Sequence, residues 1–267
     1  MAGPIITLTT DFGLVDEYVG ALKGVLLSYL YDARIIDLTH AIAPQDIHGA
    51  ATILAHAAVF FPASTVHLAV VDPGVGSDRP ILAVKTTRHI FVGPDNGILS
   101  PFLLAGPVVV HQITNTGLFR SPVSPTFQGR DIMAPVVARL AGGMDIDQVG
   151  PAVPVETCHL LVVPEPLLVD NQLVGRIVSR DHFGNLRSNI SVNEIGKLPG
   201  KREIVLQVGG RTVTGLNTTY AEKNRGEIIA LIDSGGFLEI AVVGGDAANT
   251  TKTGPGETII LSRQGHG

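Results

Sequence analysis

The stretch Val70-Val71-Asp72-Pro73-Gly74-Val75-Gly76-Ser77-Asp78-Arg79 decides how the chain is read. It opens at the end of an apolar run, residues 66–71, with the length and composition of a buried strand. Asp72 arrives where the run stops, and Pro73 has no N–H to give to a central sheet ladder. Gly74 and Gly76 let the backbone turn tightly and leave room for a close approach. Arg79 returns a fixed positive charge just ahead of a second apolar run, residues 81–84. A carboxylate, a glycine loop and a guanidinium at the C-terminal end of a strand is where open α/β sheets keep their chemistry. On residue types alone the same stretch also reads as a surface turn holding one Asp–Arg pair.

Working outward, residues 5–10 form a short apolar strand that ends in Thr9-Thr10-Asp11-Phe12-Gly13. Tyr18, Val19, Leu22, Val25, Leu26 and Tyr29 follow at helical spacing, with Asp16 as the expected N-cap. Residues 34–38 read as a strand, and 44–61 as a helix with Ile47, Ala50, Ile53, Leu54, Ala57 and Ala58 on one face. Strand–helix–strand–helix–strand implies a mostly parallel sheet flanked by helices. Short strands are expected at 81–84, 89–92 and 108–113, then a helix over 130–140 that Gly142-Gly143 ends. Pro151, Pro154, Pro164 and Pro166 then mark a change of character. Beyond them, β segments at 173–179, 202–208, 212–214, 228–232, 237–243 and 258–261 predict a small barrel or sandwich. The expected organisation is an α/β domain over residues 1–155, a linker over 156–165 and an all-β, barrel-like domain over 166–267.

Composition narrows the class of function. Of 267 residues, 45% are hydrophobic and 16% charged, so a large core is expected and disorder is not. The net charge of -5, with no block of Lys or Arg, argues against nucleic acid and anionic membrane as partners. Cys158 is the one cysteine, which excludes an intramolecular disulfide and a thiolate metal cluster within one chain. That fits a cytoplasmic location. No basic segment followed by an apolar core opens the chain, so no signal peptide is expected. Residues 20–30 are too few to span a bilayer and include Lys23. No phosphate loop, dinucleotide fingerprint or nucleophile elbow is present. His48 and His56 lie eight apart without a two-His-plus-Glu signature, so no metal is expected.

Polar clusters mark the ends of the expected elements: Thr9-Thr10-Asp11, Asp72 with Arg79, Pro94-Asp95-Asn96-Gly97, Thr126 to Asp131, and Arg180 to Asn185. An ionised carboxylate at a strand end can accept from two ribose hydroxyls, a task that suits Asp11, although an Asx-turn or helix cap would use the same residue. Asp95 and Asn96 read first as turn formers. Residue types alone support an α/β-plus-β protein with a polar site, of a kind that would take a nucleoside.

In order along nearly the whole chain, these motifs resemble those of the S-adenosyl-L-methionine (SAM) hydroxide adenosyltransferase family, relatives of the fluorinases and chlorinases. The matching stretches are residues 7–13, 18–25, 71–76, 91–97, 126–131, 181–185 and 236–241. The resemblance implies an N-terminal α/β domain, a C-terminal β-barrel and a homotrimer with sites between subunits. It implies that water attacks C5′ of SAM, releasing methionine and leaving adenosine, with no cofactor and no metal. Asp72 and Arg79 match two members of the family's catalytic triad, and Gln128 stands where the family has His. Asp11 matches the ribose ligand, Asp181 the acceptor for the methionine ammonium, and Asn185 the amide that reads adenine. Ser188 joins the substrate-binding set. Tyr220 falls where a relative stacks an aromatic on adenine, and Ser234 where one contacts the methionine carboxylate. Gly235, Gln45 and Asp72 stand where the fluorinase has Arg, Trp and Tyr, which argues against halide chemistry. Two alternatives stay open at this point: a SAM-dependent halogenase, and a non-catalytic SAM- or adenosine-binding protein, because glutamine cannot take up a proton near neutral pH.

Overall fold

The computed structural model describes residues 3–161, 164–200 and 203–263. The chain divides into two units, residues 1–161 and 162–267. The first contains β1 (Ile5–Thr10), α1 (Tyr18–Tyr29), β2 (Arg34–Thr39), α2 (Ile47–Ala58), β3 (Val66–Val70), β4 (Ile81–Lys85), β5 (Ile90–Pro94), α3 (Ser100–Leu104), β6 (Val109–Gln112) and α4 (Ala134–Ala141). Its six strands lie in the order β2-β1-β3-β5-β4-β6. β1 runs parallel to β2 and β3, and β3 parallel to β5. β4 alone is reversed against its neighbours, because the turn between β4 and β5 is too short for a crossover.

Both faces of this sheet are covered, which is why its strands are apolar almost throughout. On one face Ile6, Leu8, Leu68 and Val70 meet Leu22 and Leu26 of α1 and Val136, Val137 and Leu140 of α4. On the other, Ala69, Val71, Val84 and Phe91 meet Ala50 and Leu54 of α2 and Phe102 and Leu103 of α3. The chain steps from β1 to β2 on one side and reaches β3 on the other. The C-terminal ends of β1 and β3 therefore form a topological switch point.

Local details differ from expectation. Asp16 does not cap α1: Glu17 holds the cap position with no side-chain bond, its backbone already turned into the helical region. α2 starts at Ile47 because Asp46 accepts from the Gly49 N–H at 2.8 Å and so acts as the N-cap. The helix expected over 130–140 opens with a single π turn, Gly129–Met133, before α4. Asn96 does more than form a turn. Its Nδ2 donates to the Val71 carbonyl at 2.8 Å, one residue before Asp72. Asp95 Oδ1 accepts from the His159 N–H at 2.8 Å, and the Leu161 N–H donates to Ser100 Oγ at 2.8 Å. Cys158 is buried in the same core as α2 and α3, so residues 156–161 pack on this unit. Val162 and Val163, also in the expected linker, lie outside the described residues.

The second unit contains β7 (Leu167–Val169), β8 (Gln172–Arg180), β9 (Leu186–Ser191), α5 (Val192–Gly196), β10 (Ile204–Val208), β11 (Arg211–Thr214), β12 (Ile228–Ile232), β13 (Phe237–Val242), α6 (Ala247–Thr251) and β14 (Thr258–Arg263). Arg202, expected to open a strand, lies outside the described residues. The strands run β11-β10-β14-β8-β9-β13-β12, with β7 added on β8, and every pair is antiparallel. A bridge from Asn217 to Leu231 brings the chain after β11 against β12 and nearly closes the sheet. Ile177, Leu186, Ile190, Leu206, Leu238, Ile240 and Leu261 fill the interior. The fold is thus the expected one: a mostly parallel α/β unit followed by an antiparallel, barrel-like unit.

Candidate active site

Thr10 of β1 pairs with Val70 of β3, so Asp11 and Asp72 leave the sheet from adjacent parallel strands at the switch point. The Asp72 carboxylate receives Arg79 Nε on Oδ1 at 2.6 Å and Arg79 Nη2 on Oδ2. Arg79 Nη2 also donates to Gln128 Oε1 at 2.6 Å. The Asp72 and Arg79 side chains are only 5% and 9% exposed, so solvent screens this pair little. Asp72, Arg79 and Gln128 are therefore in direct contact, although 49 residues separate the last two in sequence.

The loops that supply them are locked together. Gly76 has φ +83, and a Cβ there would stand 2.9 Å from the Pro125 carbonyl oxygen, so only glycine suits this crossing of two loops. Phe12, Tyr18 and Phe127 form a cluster with ring centroids 5.4–5.9 Å apart, joining the residue after Asp11 to the residue before Gln128. Asp131 is buried and paired with Arg130 through two bonds of 2.7 Å, while its Oδ2 accepts from the Ser124 N–H. The hydrogen bonds from Arg130 hold the Asp131 carboxyl below its ordinary range, against the effect of burial. Asp11 Oδ2 accepts from the backbone N–H of Gln45, a residue in the left-handed region at φ 67.

In the second unit, Asp181 and Asn185 are in contact. Asp181 Oδ1 accepts from the N–H groups of Phe183 and Asn185 at 2.9 and 2.8 Å, and Asn185 Nδ2 donates to Asp181 Oδ2 at 3.0 Å. Gly184 makes this loop possible: its φ is +85, and a Cβ would meet the Asp246 carboxyl at 2.2 Å. The Ser188 hydroxyl is engaged inside the sheet, donating to the Leu238 carbonyl at 2.8 Å and accepting from the Ile190 N–H. Tyr220 is half-exposed, and its hydroxyl donates to Glu239 Oε1 at 2.6 Å. Ser234 is exposed at the tip of the β12–β13 turn, which Asp233 ties by accepting from Gly235 and Phe237.

Sequence reasoning assigned no role to Glu239, Arg187, Asp233 or Phe183. Glu239 is 2% exposed in the middle of β13, and Arg187 Nε lies 3.9 Å from it and 3.4 Å from Asp233. Burial pushes the Glu239 carboxyl up. The Tyr220 hydroxyl is pushed up to about 12, by burial first and then by its bond to Glu239. A lone glutamate inside the apolar run 237–242 was the available signal, since an isolated buried charge is costly unless partnered. Phe183, 74% exposed beside Asp181, was the other. Among the described residues, no group of three or more His, Cys, Asp or Glu gathers to hold a metal ion.

Together these features define a two-part protein, an α/β sheet and a β barrel, with polar side chains gathered at strand ends in each part. The chain belongs to the SAM hydroxide adenosyltransferase family: the model of that family's N-terminal domain matches residues 6–150, and that of its C-terminal domain residues 175–260. An (R)-S-adenosyl-L-methionine hydrolase of Salinispora tropica is 38% identical over 261 residues, covering 97% of this chain and 98% of that protein. A fluorinase of an Actinoplanes species is 25% identical over 269 residues, covering 89% of this chain and 90% of that protein. The crystal structure of an uncharacterized conserved protein from Thermotoga maritima matches with a TM-score of 0.90 and 35% identity, covering 97% of this chain and all of that one.

Proposed function

We propose that the chain hydrolyses SAM to adenosine and L-methionine through attack of water on ribose C5′. The contact of Asp72, Arg79 and Gln128 at the switch point carries this reading, within a chain of the same family as named SAM hydrolases. The new bond joins the water oxygen to C5′. The C5′–S bond breaks with its electron pair left on sulfur, and the sulfonium departs as a neutral thioether that needs no acid. The demand falls on the nucleophile, since bulk water has a pKa of about 15.7.

In this reading Asp72 takes up the proton that the attacking water loses, and Arg79 holds the carboxylate in place. Gln128 turns its oxygen to Arg79, so its amide N–H groups are the end available to the water oxygen. It orients the nucleophile and takes up no proton. Asp11 binds the ribose hydroxyls, Asp181 the methionine ammonium and Asn185 the adenine edge. Tyr220, with the exposed ring of Phe183, offers an aromatic face to the purine. Ser234 meets the methionine carboxylate, and Ser188 supports the set from within β9. A carboxylate at position 72 repels halide, so water is the preferred nucleophile over chloride or fluoride. A cytoplasmic homotrimer, with sites between subunits, completes the proposal.

Incubation with SAM in ¹⁸O-water, followed by mass analysis of the nucleoside, tests it. Label on the 5′ oxygen of adenosine is expected. A 5′-halogenated nucleoside formed on addition of chloride would assign the halogenase chemistry instead. Tight binding without product would leave a non-catalytic binder.

A further inference from the structure

A chain of side chains runs from the surface to the end of β1. Lys23 Nζ donates to Asp37 Oδ2 at 2.6 Å, and His40 Nε2 lies 3.1 Å from Asp37 Oδ1. His40 Nδ1 lies 2.8 Å from Thr10 Oγ1, which in turn accepts from the Phe12 N–H at 3.2 Å. Thr10 Oγ1 and His40 Nδ1 share a hydrogen bond, and the same oxygen receives the Phe12 amide, so one hydroxyl ties the imidazole to the loop. Burial alone would push the Asp37 carboxyl up, but the hydrogen bonds from Lys23 and His40 bring it below its ordinary range. The backbone of His40 acts as well, since its carbonyl accepts from the Gly13 N–H at 2.8 Å. Five residues on, the Gln45 N–H reaches Asp11 itself.

We propose that His40, acting through Thr10 and through its own carbonyl, is a positioning residue for the loop that carries Asp11. Carboxylate, imidazole and hydroxyl in a row also suggest an activated nucleophile, but Thr10 is 0% exposed and His40 5%, so neither reaches a substrate. The segment from Asp37 to Gln45 instead holds Thr10, Gly13 and Asp11 at three separate points, and Thr10 in turn holds the Phe12 amide. Asp11 is thereby held on both sides by atoms that do not touch the ligand. The inference rests on the reading of Asp11 as the ribose ligand. A ribose contact made equally in the ground state and the transition state registers in KM and leaves kcat alone.

The test uses the full-length protein with Thr10→Val, Thr10→Ser and Asp37→Asn. Steady-state adenosine release is measured beside amide exchange at Phe12 and Gly13. Thr10→Val is expected to raise KM about tenfold with kcat almost unchanged, and Thr10→Ser to restore it. Asp37→Asn should raise KM to a lesser degree, and the Phe12 amide should exchange about tenfold faster in Thr10→Val. Turnover with an unchanged KM in both Thr10→Val and Asp37→Asn would overturn the positioning role while leaving the hydrolase reading intact. If Thr10→Val does not fold, Asp37→Asn, altered at a partly exposed side chain, decides in the same way. If the wild type releases no adenosine, the hydrolase reading fails on its own, and Phe12 exchange alone decides whether the network holds the loop.

Discussion

Arg79 Nη2 carries two hydrogens, and Asp72 and Gln128 take both. That sharing ranks the two partners. In the proposed mechanism, loss of the Asp72 charge removes the group that takes the proton from water, while loss of Gln128 removes only an orienting amide. Asp72→Asn is expected to lower kcat by roughly 10²–10³-fold, on the scale of general-base contributions, and Gln128→Leu by about tenfold. Rates of adenosine release check the order, and a larger loss from Gln128→Leu than from Asp72→Asn would refute it. At this scale the sequence was partly legible. Asp72 and Arg79 stood out because charges at the end of an apolar strand need a reason. Gln128 fell within a polar cluster read from residue types, but its partnership with Arg79 was reached only through resemblance, since nothing in the spacing of a glutamine 49 residues from Arg79 signals contact. Glu239 and Arg187 were given no role because their meeting depends on strand pairing: Glu239 faces Arg187 across β13 and β9, and β9 itself was not anticipated.

β9 shows why some elements are hard to read. Its buried positions are Leu186, Ser188 and Ile190, and the serine at the centre breaks the apolar alternation that would announce a strand. β1, β3 and β5 announced themselves, because strands covered on both faces read as continuous apolar runs. β3 and β5 also set a titration. Their register places His67 opposite Phe91, stacked at 4.7 Å, with the His89 ring 5.0 Å away. His67 is fully buried and donates or accepts at Thr7 Oγ1 over 2.7 Å. Its pKa falls from 6.5 to about 3, from burial first and then from His89. Above pH 6.5 the ring is neutral in both the folded and unfolded chain. As pH falls from 6.5 towards 3 only the unfolded chain takes up this proton, and stability drops by up to about 1.4 kcal/mol per pH unit. His67→Gln, which keeps an amide near Thr7, is expected to flatten that slope in urea unfolding followed between pH 6 and 4. An unaltered slope would show that another group sets it.

At the scale of the whole molecule, the proposed catalytic and ribose-binding side chains lie in residues 1–161, and the proposed adenine- and methionine-binding ones in residues 162–267. If each site draws its halves from different subunits, damage to one half can be complemented by another chain. Co-expression of Asp72→Ala with Asn185→Ala chains is expected to restore measurable adenosine release, although each variant alone has little. Light scattering should give the mass of a trimer. Absence of complementation in a trimer that forms normally would mean that each site is built by a single chain.

The turn at Asp95 and Asn96 has a practical bearing on anyone dividing this chain. Asn96 secures the strand end beside Asp72, and the same turn is roofed by His159 and Leu161, the last stretch of the first half. A first half trimmed at residue 150 would be stripped of that roof. The scissors belong after Leu161, or Asp72 inherits a loosened anchor.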